Sequence, residues 1–278
     1  MNNSFSFSKF HAAGNDFVVV DAFSKDKSNM VLNSTFLQKV CHRQMGVGAD
    51  GIVVLRSWDE LSSTLCIDLY NSDGGVATMC ANGTRCAMAF LQKMFNWKSR
   101  ELVVKTLSGN YQGKISQNTI WLSVESSYIK NQEYDLSKVD TQFSFSRFYF
   151  ANSGVPHSIF WVKDVQSLAI EKIAPAIRSN AIFPEGCNVN FLTQISDHEY
   201  QVRTFERGVE GETLSCGTGI LAISSMLKNR DKIQGEVIFH TPGGILKAHI
   251  SSEKISYGGE VVLVYSAILE DAFYDASR

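Results

Sequence analysis

Four short segments of this 278-residue chain recur in the same order about half a chain later. That repeat restricts the available folds more than any single motif does, because self-similarity at a fixed period means a structural unit built twice. Residues 10–20 resemble 150–160, an offset of 140 positions, and 50–55 resemble 185–192 at 135. The Gly-rich turns around Cys80 and Cys216 stand 136 apart, and 108–115 resemble 242–249 at 134. Offsets that drift so little predict two equivalent halves: an N-terminal lobe over 1–125, joined by a C-terminal strand at 266–278, and a second lobe over 126–265. The polar, weakly periodic stretch 125–135 is the expected junction.

Within each half, buried-strand patterns precede one strong helix, and further strands follow it. In the first half the strands are expected at 17–21, 52–55 and 65–70. Residues 84–95 and 220–227 carry apolar side chains around a wide helical face, so both helices should be buried. Strands at 120–124 and 260–265 are expected to close the two halves. The fold class read from this is α/β (α+β): two pseudo-symmetric lobes, each a mixed, largely antiparallel β-sheet or barrel wrapped around a central helix. The cleft between the lobes is the expected ligand site.

An apolar content of 44% with 19% charged residues supports a real core. A net charge of −2 supplies no basic field for a nucleic acid. No run approaches the roughly 18 apolar residues of a membrane span, and the first residues lack the basic and apolar regions of a signal peptide. A cytoplasmic location and no membrane partner are expected. The six cysteines are irregularly spaced and contain no C-x-x-C pair, which argues against disulfides and a zinc site. Cys41, Cys66 and Cys187 read as small core hydrophobes, and so does Cys86 on the helix after Cys80.

Cys80 and Cys216 differ from these because each opens a helix. A helix N-terminus presents N–H groups without intrahelical partners and the positive end of the macrodipole. It should therefore lower the thiol's pKa from about 8.5 and also hold a carboxylate. Two such sulfurs suit an amino-acid substrate, one removing the α-proton and the other protonating the opposite face. Oriented N–H groups would stabilise the charge developing on the carboxylate. No metal or other cofactor is required.

The blocks Gly14-Asn15-Asp16-Phe17, Asn71-Ser72-Asp73-Gly74-Gly75, Met79-Cys80-Ala81-Asn82-Gly83-Thr84-Arg85-Cys86, Gly186-Cys187-Asn188-Val189-Asn190-Phe191 and the run from Glu206-Arg207 to Ser215-Cys216-Gly217-Thr218-Gly219 resemble the signature blocks of diaminopimelate epimerase. The resemblance implies a cofactor-independent isomerase interconverting LL- and meso-2,6-diaminopimelate, feeding lysine and peptidoglycan precursors, and acting as a homodimer. It implies Cys80 and Cys216 as the acid/base pair. Glu206 resembles the carboxylate that orients one thiol and contacts the α-amino group, and His157 the imidazole assisting the other. Ala81, Asn82, Gly217 and Thr218 would contact the α-carboxylate; Asn15, Asn71, Asn188 and Arg207 would hold the distal groups.

Two positions depart from the family pattern. Gly154-Val155-Pro156-His157 stands where the family has Gly-Asn-Pro-His, and Ala81 replaces the usual Gly. Both leave the thiols intact and bear on substrate choice. A racemase of another amino acid such as glutamate or histidine, an epimerase of relaxed specificity, and an inactive binding protein on the same fold are the competing readings. Asn15 and Asn188 as turn caps, and His157 as a structural histidine, are the corresponding alternatives for single residues.

Overall fold

The repeat in the sequence is a repeat of strand pairing. A computed structural model describes residues 5–23, 33–97, 101–116, 118–132, 134, 145, 147–270 and 273. The chain divides into one unit of residues 1–122 with 259–278 and another of 123–258.

In the first unit β1 (Phe5–Ala12) pairs antiparallel with β2 (Asn15–Asp21). β2 runs parallel to β3 (Gly51–Asp59), with helix α1 (Ser34–Cys41) between them in sequence. β4 (Thr64–Asn71) lies antiparallel to β3 and to the short β5 (Val76–Ala77). Helix α2 (Ala81–Phe95) leads to β6 (Glu101–Thr106), parallel to β4, and β7 (Gly109–Ser116) returns antiparallel to β6. β8 (Thr119–Glu125) follows in the chain.

The second unit has the same order. After β9 (Lys130–Gln132), β10 (Arg147–Asn152) and β11 (Pro156–Trp161) pair antiparallel. Helix α3 (Ile170–Arg178) separates β11 from its parallel neighbour β12 (Asn188–Ser196). β13 (Glu199–Glu206) is antiparallel to β12 and to β14 (Gly211–Thr213). Helix α4 (Gly217–Arg230) leads to β15 (Gly235–Thr241), parallel to β13, and β16 (Gly244–Ile250) returns antiparallel to β15. β17 (Lys254–Gly259) holds the place in this half that β8 holds in the first. Mixed, largely antiparallel sheet around a helix is thus built twice.

The last strand of each repeat pairs inside the other unit. β9 lies against β10, and β18 (Val261–Leu269) lies along the whole of β1. This corrects the expected end of the second half: 260–265 do not close it, and the chain re-enters the first unit at 259 rather than 266. Val261 already pairs with Ala12. The expected C-terminal strand ends at Leu269; of its remainder, 271–272 and 274–278 lie outside the described residues, as do 133 and 135 of the expected junction.

Strand register also corrects one match of the repeat. Phe17 pairs with Gly51 in the first unit, and His157 with Asn188 in the second. Asn188, not Gly186, therefore holds the place of Gly51, two residues further along than the sequence match puts it.

Both central helices are buried on every side over most of their length. From Ala81 to Leu91 every residue of α2 is buried, and it packs on β1, β2, β3, β4 and β18. In α4, Gly217 and every residue from Gly219 to Leu227 are buried, against β10, β11 and β16. Moving so many methylenes out of water, at about 0.8 kcal/mol each, gives these helices most of their stability. The flanking helices carry one apolar stripe instead, as surface helices do. α1 packs Phe36, Leu37 and Val40 on the β2–β3 face, and α3 packs Ile170, Ile173, Ala174 and Ile177 on Phe160, Phe191 and Phe205. Among the described residues no helix is long and apolar enough to cross a membrane.

Candidate active site

Cys80 is the N-cap residue of α2, in extended backbone, and the Gly83 N–H points at its sulfur from 3.5 Å. Gly83 has no side chain, and a Cβ there would come within 3.1–3.3 Å of Leu69, Phe17 and Val53. Asn15, at the start of β2, turns its Oδ1 toward the site: Cys80 Sγ lies 4.0 Å away and Asn82 Nδ2 donates to it at 3.2 Å.

The orientation of that amide is set from behind. Asn15 Nδ2 donates to Asp50 Oδ2 at 2.7 Å. Arg43 bridges the carboxylates of Asp50 and Asp16, and the nearly buried Lys9 ammonium reaches Asp16 at 2.6 Å. Burial alone would raise the Asp16 carboxyl, but Arg43 and Lys9 hold it far below the usual carboxylate range. Asn82 is fixed in the same way. The wholly buried Arg85 donates to Asn82 Oδ1 and to the carbonyls of Ile120 and Glu260. The Asn82 side chain is thereby committed to the protein, which leaves a carboxylate contact to backbone N–H groups of the first helical turn. Asn71 ends β4 in a tight turn with Gly74 and Gly75 and is exposed.

In the second unit the expected residues form one connected set. Cys216 is the N-cap residue of α4 and lies 3.4 Å from Thr218 Oγ1. Thr218 Oγ1 lies 3.0 Å from His157 Nε2, and its carbonyl accepts from Ser153 at 2.8 Å. Asn188 accepts from the Arg207 backbone N–H at 2.8 Å, and its Nδ2 stands 3.4 Å from the same His157 nitrogen. Glu206 accepts from Thr213 at 2.6 Å across the β13–β14 pair and faces the Cys216 sulfur. Arg207 Nη1 is held by the Glu185 carbonyl at 2.6 Å. Both expected assistants, Glu206 and His157, thus lie on the Cys216 side of the chain, His157 with Thr218 between it and the sulfur.

The electrostatics overturn one expectation. The Cys216 thiol is pushed well above its ordinary value, by burial first and then by the charge of Glu206. The Thr218 hydroxyl and the nearby Gly219 N–H, which falls short of a full capping bond, pull the other way and lose. A helix terminus contributes up to about 2 kcal/mol, whereas desolvation of a fully buried group can shift a pKa by 3–5 units. Burial likewise pushes Cys41 and Cys187 up to about 11, and Cys86 higher still. Cys41, Cys86 and Cys187 are core, whereas Cys66 is only half-buried. His157, wholly buried, is depressed to about 3, so it is a neutral imidazole at physiological pH.

The sequence reading missed Asn190, whose amide reaches His157 Nδ1 at 3.1 Å, and Asp50 behind Asn15. Asn190 could have been found: it follows Asn188 by two residues on a strand, so both side chains share a face. Asp50 has no such signal, since only the parallel pairing of β2 with β3 brings it near Asn15. A separate hollow of about 400 Å³ in the second unit is lined by Arg203, Glu212 and His240 among others. It holds none of the expected site residues, and its arginine is committed to Glu212 and to backbone carbonyls. Among the described residues no three His, Cys, Asp or Glu side chains are grouped to hold a metal ion.

The architecture matches solved structures with very different sequences. A PhzF-family phenazine biosynthesis protein from Enterococcus faecalis aligns with a TM-score of 0.70 at 14% identity, over 96% of this chain and 99% of that one. A hydroxyproline epimerase from Agrobacterium vitis aligns with a TM-score of 0.67 at 13% identity, over 96% and 93%. The fold is the one shared by PhzF proteins and by racemases and epimerases of amino acids. Nearer relatives narrow this to one line. The chain is 33% identical over 280 residues to the diaminopimelate epimerase of Methanocella arvoryzae, covering 96% of this chain and 97% of the relative. It is 34% identical over 273 residues to that of Archaeoglobus fulgidus, covering 95% and 96%. The family model of diaminopimelate epimerase matches residues 7–127 and 149–264. The chain belongs to the diaminopimelate epimerase family and is an isomerase.

Proposed function

We propose that the protein interconverts LL- and meso-2,6-diaminopimelate without a cofactor, using Cys80 and Cys216 as the acid/base pair. The observation that carries this reading is the repetition of one device: each cysteine is the N-cap residue of a helix buried on all sides, at equivalent places in the repeat. In each turnover one thiolate removes the α-proton and becomes a thiol. The other thiol gives its proton to the opposite face of the α-carbon and becomes the thiolate, so charge and protons balance and the roles are exchanged. The first-turn N–H groups of α2 and α4, at Ala81, Asn82, Gly217 and Thr218, stabilise the carboxylate as it gains charge from the carbanion. Cys216, held protonated by burial and by Glu206, suits the acid role in the resting state.

Asn15, Asn71, Asn188 and Arg207 are assigned to the distal amino and carboxylate groups. A mono-amino-acid substrate is the competing reading, favoured by Val155, which puts an apolar side chain where the first repeat has Asn15. Exchange of the α-proton in heavy water, measured with 2,6-diaminopimelate and a panel of mono-amino acids under reducing conditions, separates the two. Exchange with diaminopimelate is expected. Exchange only with a mono-amino acid would overturn the assigned substrate. Cys80→Ser and Cys216→Ser should each lower the rate at least 10²-fold, the lower end of what general acid–base catalysis contributes. Wild-type rates in both would overturn the two-thiol mechanism.

A further inference from the structure

Asn190 is wholly buried on β12 and makes three polar contacts that fix the direction of its amide. Its Nδ2 donates to the Ser158 carbonyl at 3.0 Å, an oxygen that can only accept. Its Oδ1 accepts from the Thr204 hydroxyl at 3.1 Å. A rotated amide would set two carbonyl oxygens against each other. The NH2 group must therefore also be what meets His157 Nδ1 at 3.1 Å, and a ring nitrogen that faces a donor has to be the bare one.

The other side of the ring follows. A neutral imidazole with a bare Nδ1 carries its proton on Nε2, whose shortest contact is Thr218 Oγ1 at 3.0 Å. Thr218 then receives that N–H and is free to turn its own hydroxyl hydrogen to the Cys216 sulfur at 3.4 Å. Asn188 pulls the other way but from farther off. Its Oδ1 accepts from the Arg207 N–H, so its NH2 stands toward Nε2 at 3.4 Å, a longer contact than the 3.1 Å from Asn190 to Nδ1 or the 3.0 Å from Nε2 to Thr218. An imidazolium would face two NH2 groups. With its NH2 turned to Nδ1 by Ser158, Asn190 opposes a second proton on the ring. Gly219 gives this cluster its room, since a Cβ there would stand 2.5 Å from Asn190 Oδ1.

We infer that Asn190, oriented by Ser158 and Thr204, is a positioning residue that holds His157 as the neutral Nε2–H tautomer, so that His157 acts through the Thr218 hydroxyl as a hydrogen-bond donor toward Cys216 and not as a store for its proton. The tautomer stands on the geometry alone; its catalytic consequence rests on the proposed function. A hydroxyl held in the donor direction stabilises the Cys216 thiolate each time it forms and leaves the thiol form unassisted.

The test is nitrogen-15 NMR of the imidazoles in the full chain, with His157 assigned by difference from His157→Gln. The expected spectrum of His157 is a protonated Nε2 and a bare Nδ1, unchanged through neutral pH. Asn190→Ala should give a mixture of tautomers and lower the α-proton exchange rate about tenfold, the effect of one net hydrogen bond, with KM changed less than twofold. Thr204→Val, nearly isosteric, should move both readouts in the same direction by less. An Nδ1–H tautomer or an imidazolium in the wild type overturns the inference, and so does an unaltered tautomer in Asn190→Ala. Should Asn190→Ala fail to fold, the wild-type spectrum and Thr204→Val still decide it. A correct tautomer in a protein that exchanges no α-proton would overturn the proposed function and leave the tautomer lock standing.

Discussion

Gly83 and Gly219 each stand three residues past a helix-capping cysteine, and alanine at the two positions should have unequal effects. Intrinsic helix propensity favours alanine at both by about 0.5–1 kcal/mol. At Gly83 the added methyl meets the tips of Leu69, Phe17 and Val53 at 3.1–3.3 Å, and such tips give way by a few tenths of an ångström. The strain belongs at the low end of overpacking, about 1 kcal/mol, and nearly cancels the propensity gain. At Gly219 the methyl stands 2.5 Å from Asn190 Oδ1. That amide cannot move without losing its bonds to Thr204, Ser158 and His157. Two or three bonds at about 1 kcal/mol each, added to the strain, outweigh the propensity gain and leave Gly219→Ala about 2–4 kcal/mol less stable. Urea unfolding measures this as a lower midpoint at unchanged slope for Gly219→Ala, with Gly83→Ala close to wild type. Equal midpoints for the two variants, or a lower one for Gly83→Ala, would refute the packing account of Asn190.

Asp16, held far below the usual carboxylate range despite its burial, contributes stability that is fully present above pH of about 4 and lost as pH falls further. The stability difference between wild type and Asp16→Asn should accordingly be large at pH 7 and shrink progressively below pH of about 4, as followed by urea midpoints across pH; a pH-independent difference would contradict the Lys9 and Arg43 assignment. Because Glu206 helps to keep the Cys216 thiol protonated, Glu206→Gln should let Cys216 ionise at lower pH and be alkylated faster by iodoacetamide at a fixed mildly alkaline pH, measured in a Cys80→Ser background. Slower alkylation than in the parent would reverse the sign assigned to Glu206.

What could be read directly was local. The place of Cys80 and Cys216 before their helices is a matter of residues i to i+3, and the apolar surround of α2 and α4 is written in their own sequences. What could not be read was set by pairing between distant strands. Asp50 reaches Asn15 through the parallel register of β2 and β3, and Asn190 reaches His157 through that of β11 and β12. Neither partner lies within thirty residues of the other along the chain.

Repetition of sequence sufficed for the doubled fold, because each half carries the same order of turn, strand and helix signals. It misjudged one match of the repeat by two residues, and it misjudged where the second half ends, since nothing local distinguishes a strand that stays in its own unit from one that pairs with β1. The chemistry of the thiols divides along the same line. Their position at helix starts follows from the glycine-rich turns, but the protonation of Cys216 follows from burial and from Glu206, brought up by the β13–β14 pair. A pKa is a property of surroundings, and tertiary structure alone supplies those.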